Sequence, residues 1–156
     1  MVMKQELQID ALKSAMKDVE RVVAPLPSVA TEKLLDGGWT MVDVVGHLIA
    51  VDDIMFRRFQ RMMEEDDPDI IGEIPDSIYR GQHVPFASAM DRWRSLRGEI
   101  CEWLEKLPPG ALNRHAQHNE RGKISIRTEV QVLVNHDTEH LNQLIKMREN
   151  WERKNR

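Results

Sequence analysis

Three histidines in this chain have the residue type and spacing that metal chemistry needs. His136 and His140 are four residues apart, so on a helix their imidazole rings stack on one face, one turn apart. Two stacked imidazoles can hold one metal ion, and His47, from another part of the chain, could supply a third nitrogen. Three protein nitrogens leave one coordination position open for water or substrate, as catalytic metal sites do. These residues therefore indicate where a reaction could take place, but they do not indicate which reaction it is.

The same histidines also fit a purely structural interpretation. A histidine beside an apolar helix seam commonly forms a hydrogen bond to a carbonyl oxygen in a protein core. The pair lacks the internal Glu of the H-E-x-x-H metalloprotease pattern, because position 137 is Asp. Spacing alone leaves the two interpretations open. If a metal binds, imidazole nitrogen suits zinc, nickel, copper or iron.

Three acidic side chains near these histidines are candidate acceptors for the ring N–H groups that do not face a metal. They are Asp43, Asp137 and Glu139. The alternative is that they are ordinary polar helix surface, or for Asp43 only a helix cap.

The histidines fall on two of four segments in which apolar residues recur at spacings of three and four. These segments span about 4–23, 40–65, 85–107 and 125–151. The spacing predicts amphipathic helices, and Thr40 and Ser125 are good N-cap residues. Four helices of about 20 residues favour an all-α four-helix bundle in a single domain, residues 1–156.

The connections between these helices carry the remaining histidines. Segment 66–84, which contains His83, is longer than most helix–helix loops, and its length suggests a cover for the histidine site. Residues 111–124, which contain His115 and His118, are predicted to form an exposed turn or a small hairpin. No β-alternating segment of convincing length is present. We expect the three loop histidines to be exposed, with His118 the best candidate for a substrate contact.

Composition narrows the function classes. Hydrophobic residues make up 41% and charged residues 31% of the 156 residues, which is typical of a globular protein. A net charge of −4 does not favour nucleic acid as a partner. Basic residues such as Arg57, Arg58 and Arg61 are expected to lie on solvated helix faces. Cys101 is the only cysteine, which excludes an intramolecular disulfide and a cysteine-based zinc site. We see no signal peptide or membrane span and expect a cytoplasmic protein.

The motifs around the histidines resemble those of the DinB/YfiT-like superfamily of metal-dependent enzymes. One motif opens the second helix, with Gly38-Trp39-Thr40, Val44 and His47-Leu48. The other opens with Ser125-Ile126-Arg127 and continues with His136-Asp137, His140-Leu141 and Gln143. The motifs are short, but their order and spacing match over nearly the whole chain.

The resemblance implies an up-down-down-up four-helix bundle in which His47, His136 and His140 bind zinc or nickel. Members often form homodimers, and the family name reflects damage-inducible expression, a stress response. Characterised members include transferases and an isomerase that use low-molecular-weight thiols such as bacillithiol, mycothiol or glutathione. A thiol-dependent S-transferase acting on a small-molecule substrate is therefore the first hypothesis. A metal-dependent hydrolase and a non-catalytic, stress-associated metal-binding bundle are the alternatives.

Overall fold

Four long helices dominate the computed structural model, which describes residues 4–156. The helices are α1 (Lys4–Val23), α2 (Met41–Glu64), α3 (Phe86–Glu105) and α4 (Ile126–Lys154), with short 3₁₀ helices at Ser28–Glu32 and Ala111–Asn113. Each predicted helix is present, with ends within three residues of the prediction. Residues 1–3, part of the predicted domain, lie outside the described residues. Among the residues described, no helix is long and apolar enough to span a bilayer.

Both histidine-bearing helices begin at a capping box. The Thr40 hydroxyl accepts a hydrogen bond from the Asp43 amide (3.0 Å), and the Asp43 carboxylate accepts one from the Thr40 amide (2.9 Å). Ser125 and Thr128 make the equivalent pair at the start of α4. Each cap satisfies amides that have no partner within the helix and contributes about 1 kcal/mol. The caps therefore fix the residue at which each helix starts.

Helices α1 and α4 run parallel. Gln8, early in α1, donates to the side chain of Gln131, early in α4, over 2.9 Å. Val22, near the end of α1, accepts a hydrogen bond through its carbonyl from Arg148, near the end of α4 (3.1 Å).

Helices α2 and α3 also run parallel. Asp52 contacts Trp93, and further along both helices Phe59 stacks on Trp103 with the ring planes 11° apart. Parallel neighbours need a long crossover, and segment 65–85 between α2 and α3 provides it.

The two parallel pairs point in opposite directions. His47 meets His136, whereas Arg58, later in α2, meets Glu129, earlier in α4. Salt bridges likewise join Lys13, in the middle of α1, to Glu105 at the end of α3, and Glu20, near the end of α1, to Arg94 in the first half of α3. The helices therefore follow the predicted up-down-down-up order.

A small sheet lies beside the bundle, formed by β1 (Asp69–Ile70), β2 (His115–His118) and β3 (Gly122–Ser125). β1 pairs with β2 in parallel, and β2 and β3 form the predicted hairpin. No strand was predicted at β1, because a strand of two residues is too short to show alternation. The sheet ties the crossover segment to the hairpin.

The core consists of two apolar clusters separated by a polar layer. One cluster is centred on Leu12, Phe59 and Leu133, and the other on Leu48 and Leu144. The layer between them has one fully buried cation, Arg97 of α3.

Arg97 of α3 forms hydrogen bonds to each of the other three helices. Its guanidinium donates two hydrogen bonds to Asp52 of α2 (both 2.9 Å), two to Asp137 of α4 (2.8 and 2.9 Å) and one to the Leu12 carbonyl of α1 (2.9 Å). The Trp93 indole also donates to Asp52 (3.1 Å), so this carboxylate has two partners on α3. Burial alone would lower the pKa of Arg97, but the charges of the two carboxylates outweigh it and raise the pKa. Arg97 is therefore ionised and sets the relative heights of the four helices.

The expectation that Arg58 is solvated was wrong. Its side chain is buried and donates to Glu129, which has no exposed surface (2.7 Å). Arg121 of the hairpin binds the same carboxylate through two nitrogens. A second buried charge cluster thus joins α2, α4 and the hairpin. Arg57 and Arg61, in contrast, form exposed ion pairs with Asp53 and Glu65.

Replacing Arg97 with Met is expected to lower the free energy of unfolding by about 3–5 kcal/mol, because two buried carboxylates lose their counter-ion. Urea denaturation measures this change. Arg57→Met, which removes an exposed ion pair, should change stability by less than about 1 kcal/mol. Adding Asp52→Asn and Asp137→Asn to Arg97→Met should recover part of the loss. Equal stability of the Arg97 and Arg57 variants would contradict a role for Arg97 in holding the bundle.

Candidate metal centre

The bundle brings the three predicted histidines together. The Nε2 atom of His136 lies 3.1 Å from that of His47 and 3.0 Å from that of His140. One ring nitrogen from each histidine lies within 4.8 Å of the others, and no other group of three potential ligands this close is found among residues 4–156. Residues almost ninety positions apart in the chain therefore form one cluster of nitrogens.

The crossover segment fixes the orientation of His47. The Nδ1 atom of this histidine donates to the Pro75 carbonyl over 2.9 Å, so its Nε2 atom carries a lone pair. The segment also packs tightly on α2 at Gly46. A Cβ there would overlap the Ser77 hydroxyl and lie 2.8 Å from the Tyr79 ring. Glycine at position 46 therefore allows the approach that places Pro75 against His47.

A side-chain relay fixes the orientation of His140. Its Nδ1 atom donates to the Gln143 carbonyl oxygen (2.7 Å), and the Gln143 amide nitrogen donates to Asp36 (2.8 Å). The carboxylate can only accept, so it determines which end of the Gln143 amide faces the histidine. The Nε2 atom of His140 therefore also carries a lone pair.

His136 lies between the other two rings. Burial lowers the pKa of His136 to about 3, and the charges of His140, His47 and Arg97 act in the same direction. Its Nδ1 atom is buried and has no hydrogen-bond partner among the described residues. Burial also lowers the pKa of His47. These two imidazoles are therefore neutral at pH 7, which is the form that binds metals.

This donor set fits a divalent transition metal. Nitrogens that each lie about 2.0–2.1 Å from a tetrahedral ion are roughly 3.3–3.4 Å apart, close to the two separations at His136. Zinc, nickel, copper and iron all accept imidazole, and a fourth position stays free of protein ligands. With no oxygen ligand in the cluster, calcium and magnesium are disfavoured.

The predicted carboxylate acceptors were wrong. Asp137 faces away from the rings and binds Arg97. Asp43 caps α2 and pairs with Arg80, and Glu139 is exposed. A backbone carbonyl and an amide side chain, Pro75 and Gln143, take the place of these carboxylates.

A cavity of about 560 Å³ adjoins the cluster and reaches His47 and His136. Apolar side chains of α2 and α4 form its walls, among them Val51, Met55 and Leu133. Residues 72–75 of the crossover segment also line it. That segment 66–84 covers the site stays a prediction.

The three loop histidines have different surroundings. His83 is exposed, as predicted. His115 is half-buried and bonds to Asp67 through Nδ1 (2.7 Å). The expectation of exposure was wrong for His118, which is 6% exposed and lines the cavity. The prediction that it contacts substrate stays a prediction.

Gln143→Leu is expected to weaken metal binding by about 10- to 100-fold, because His140 loses the partner that orients its ring. Competition with a coloured chelator measures the affinity. Gln131→Leu, on the same helix but away from the rings, is the matched control. Equal affinity for wild type and Gln143→Leu would show that the relay does not orient a ligand.

The metal-free protein is expected to lose stability in mild acid because of His136. The pKa rises from about 3 in the folded chain towards 6.5 on unfolding, so unfolding takes up a proton and stability falls as the pH drops below about 6.5. Between pH 7 and pH 5, wild type should lose on the order of 1–2 kcal/mol more than His136→Asn. Urea denaturation with a chelator present measures both. An identical loss in the two proteins would contradict the low pKa.

Comparison with known proteins supports the four-helix-bundle fold. A sequence model of the DinB superfamily matches residues 11–144, a range that includes all three histidines. Among solved structures, the chain is similar to YfiT from Bacillus subtilis, which is described as a probable metal-dependent hydrolase with an unusual four-helix bundle topology. The TM-score is 0.79 at 18% identity, and the match covers 94% of this chain and 88% of that one. No curated protein matches. The chain belongs to the DinB superfamily.

Proposed function

We propose that this protein is a metal-dependent enzyme that transfers a small thiol to an electrophilic substrate, with His47, His136 and His140 as the metal ligands. The observation that carries the proposal is the convergence of three Nε2 atoms at the end of a largely apolar cavity. A divalent zinc or nickel ion there supplies an open coordination position and a positive charge that favours the thiolate form of a thiol.

The protein residues bind and orient the reactants. Hydrogen bonds from His47 to Pro75 and from His140 to Gln143 keep both Nε2 lone pairs directed at one point. The apolar walls of the cavity exclude water from the sulfur atom, which strengthens electrostatic interactions at that point. An electrophile in the cavity would lie beside the thiolate sulfur of the co-substrate. The sulfur would attack the electrophilic carbon, so that a carbon–sulfur bond forms while the bond from that carbon to the leaving group breaks.

The nucleophile must be supplied by a second molecule if the reaction is S-transfer. Cys101 is the chain's only cysteine, and it is 2% exposed within the core. Burial raises the pKa of its thiol to about 11. Cys101 is therefore unreactive at neutral pH, which supports a low-molecular-weight thiol as the co-substrate.

A metal-dependent hydrolase is the second candidate, favoured by the description of YfiT as a probable metal-dependent hydrolase. A hydrolase is more efficient when a general base takes a proton from its water. The carboxylates that line the cavity, Glu73 and Glu120, are both exposed. The thiol proposal needs no such base, and for that reason we prefer it.

The test is a conjugation assay with zinc- or nickel-loaded protein, a panel of small thiols and a standard electrophile. We expect thiol conjugation well above the uncatalysed rate and its loss in His136→Ala. His83→Ala, with an exposed loop histidine, is the control and should keep full activity. Hydrolysis of an ester or amide panel without conjugation would favour the hydrolase. Neither activity in metal-loaded protein would favour a non-catalytic metal-binding bundle.

The homodimer, the cytoplasmic location and the link to stress stay predictions.

A further inference from the structure

The cavity has a second polar end, away from the three metal-ligand candidates, which contains His118. The Nδ1 atom of this histidine accepts hydrogen bonds from the backbone amides of Glu120 (3.1 Å) and Arg121 (3.2 Å). Two donors fix Nδ1 as the acceptor, so the ring proton is on Nε2. Burial, and then the charges of Arg121 and Arg58, lower the pKa of His118. His118 is therefore a neutral donor with a fixed tautomer.

The Nε2 proton of His118 has no acceptor among the residues described, although the side chain is only 6% exposed and lines the cavity. Gly72 lies against this edge of the ring. A Cβ on Gly72 would lie 3.0 Å from Nε2 and 2.9 Å from Cε1. A larger residue at position 72 would crowd the donor, so glycine keeps the space beside it clear.

Two guanidinium groups line the same end of the cavity, those of Arg58 and Arg121. Both bind the buried carboxylate of Glu129, with nitrogen–oxygen distances between 2.6 and 3.0 Å. Two positive charges face one negative charge, so the cluster keeps a net positive charge and a fixed geometry. The two carboxylates that line the cavity itself, Glu73 and Glu120, are both exposed to solvent. This end therefore offers hydrogen-bond donors and positive charge.

We propose that His118, with Arg58 and Arg121, binds a carboxylate carried by the thiol co-substrate, several bonds from its sulfur. The sulfur would lie at the three-histidine cluster, and the body of the molecule would lie along the apolar walls between the two ends. Hydrogen bonds that involve a charged partner are stronger than neutral ones and are costly to lose in a buried site. The inference rests on the proposed function for its thiol end, whereas the carboxylate end stands on the geometry of His118.

The test uses cobalt-loaded protein and two matched series, ω-mercaptoalkanoates and ω-mercaptoalkanols of increasing chain length. The sulfur-to-cobalt absorption band reports thiolate binding in both series. We expect the carboxylate to improve affinity by about tenfold at one chain length, because only one length spans the two ends. His118→Phe should remove this advantage, measured as the ratio of mercaptoalkanoate affinity to mercaptoalkanol affinity at that chain length. His115→Phe, a strand histidine bonded to Asp67 outside the cavity, is the control and should keep the advantage.

Arg121→Gln provides a second variant if His118→Phe fails to fold, and it should reduce the same advantage. No carboxylate advantage at any chain length, or one that persists in His118→Phe, would overturn the inference. Failure of the proposed function would look different, because neither series would give the sulfur-to-cobalt band. In that case nuclear magnetic resonance titration of metal-free protein with plain alkanoates decides. Shifts of the His118 ring signals would support the carboxylate site, and their absence would overturn it.

Discussion

The ion-pair cluster around Arg97 is the interaction on which the rest of the structure depends. Burying three charges is costly, and the cost is met only when every hydrogen bond forms. Here the guanidinium has five acceptors on three other helices, so sliding one helix past another by a turn would leave a charge unpaired. Apolar packing tolerates such shifts far better than a buried charge does. The cluster therefore fixes the register of the bundle.

That register also positions the candidate metal centre. Asp137, which binds Arg97, is next to His136 in the chain, so the cluster holds His136 at the height of His47. The positive charge of Arg97 helps to keep His136 neutral. Pro75 of the crossover segment and Gln143 of α4 then complete the site, because they orient the outer two rings. The helices set the positions of the nitrogens, and the partners of Nδ1 set their tautomers.

The parts of this structure that depend on local sequence could be predicted, and those that depend on distant pairing could not. Thr40 and Ser125 mark helix starts because a cap involves only the next three residues. The histidine cluster was accessible because His136 and His140 are one turn apart and the motif around His47 is recognisable. Arg97 and Arg58 could not be distinguished from surface arginines, because their partners Asp52 and Glu129 lie 45 and 71 residues away. The acceptor for His47 is a backbone carbonyl, which no sequence motif encodes.

If His47, His136 and His140 together bind one metal ion, the purified protein should contain that metal. Elemental analysis of protein purified without a metal-affinity tag, for wild type and His136→Ala, is the measurement. We expect close to one equivalent of zinc or nickel in wild type and its loss in the variant. Metal-free wild type that also fails to bind zinc, nickel, copper or iron after exposure to each ion would contradict it.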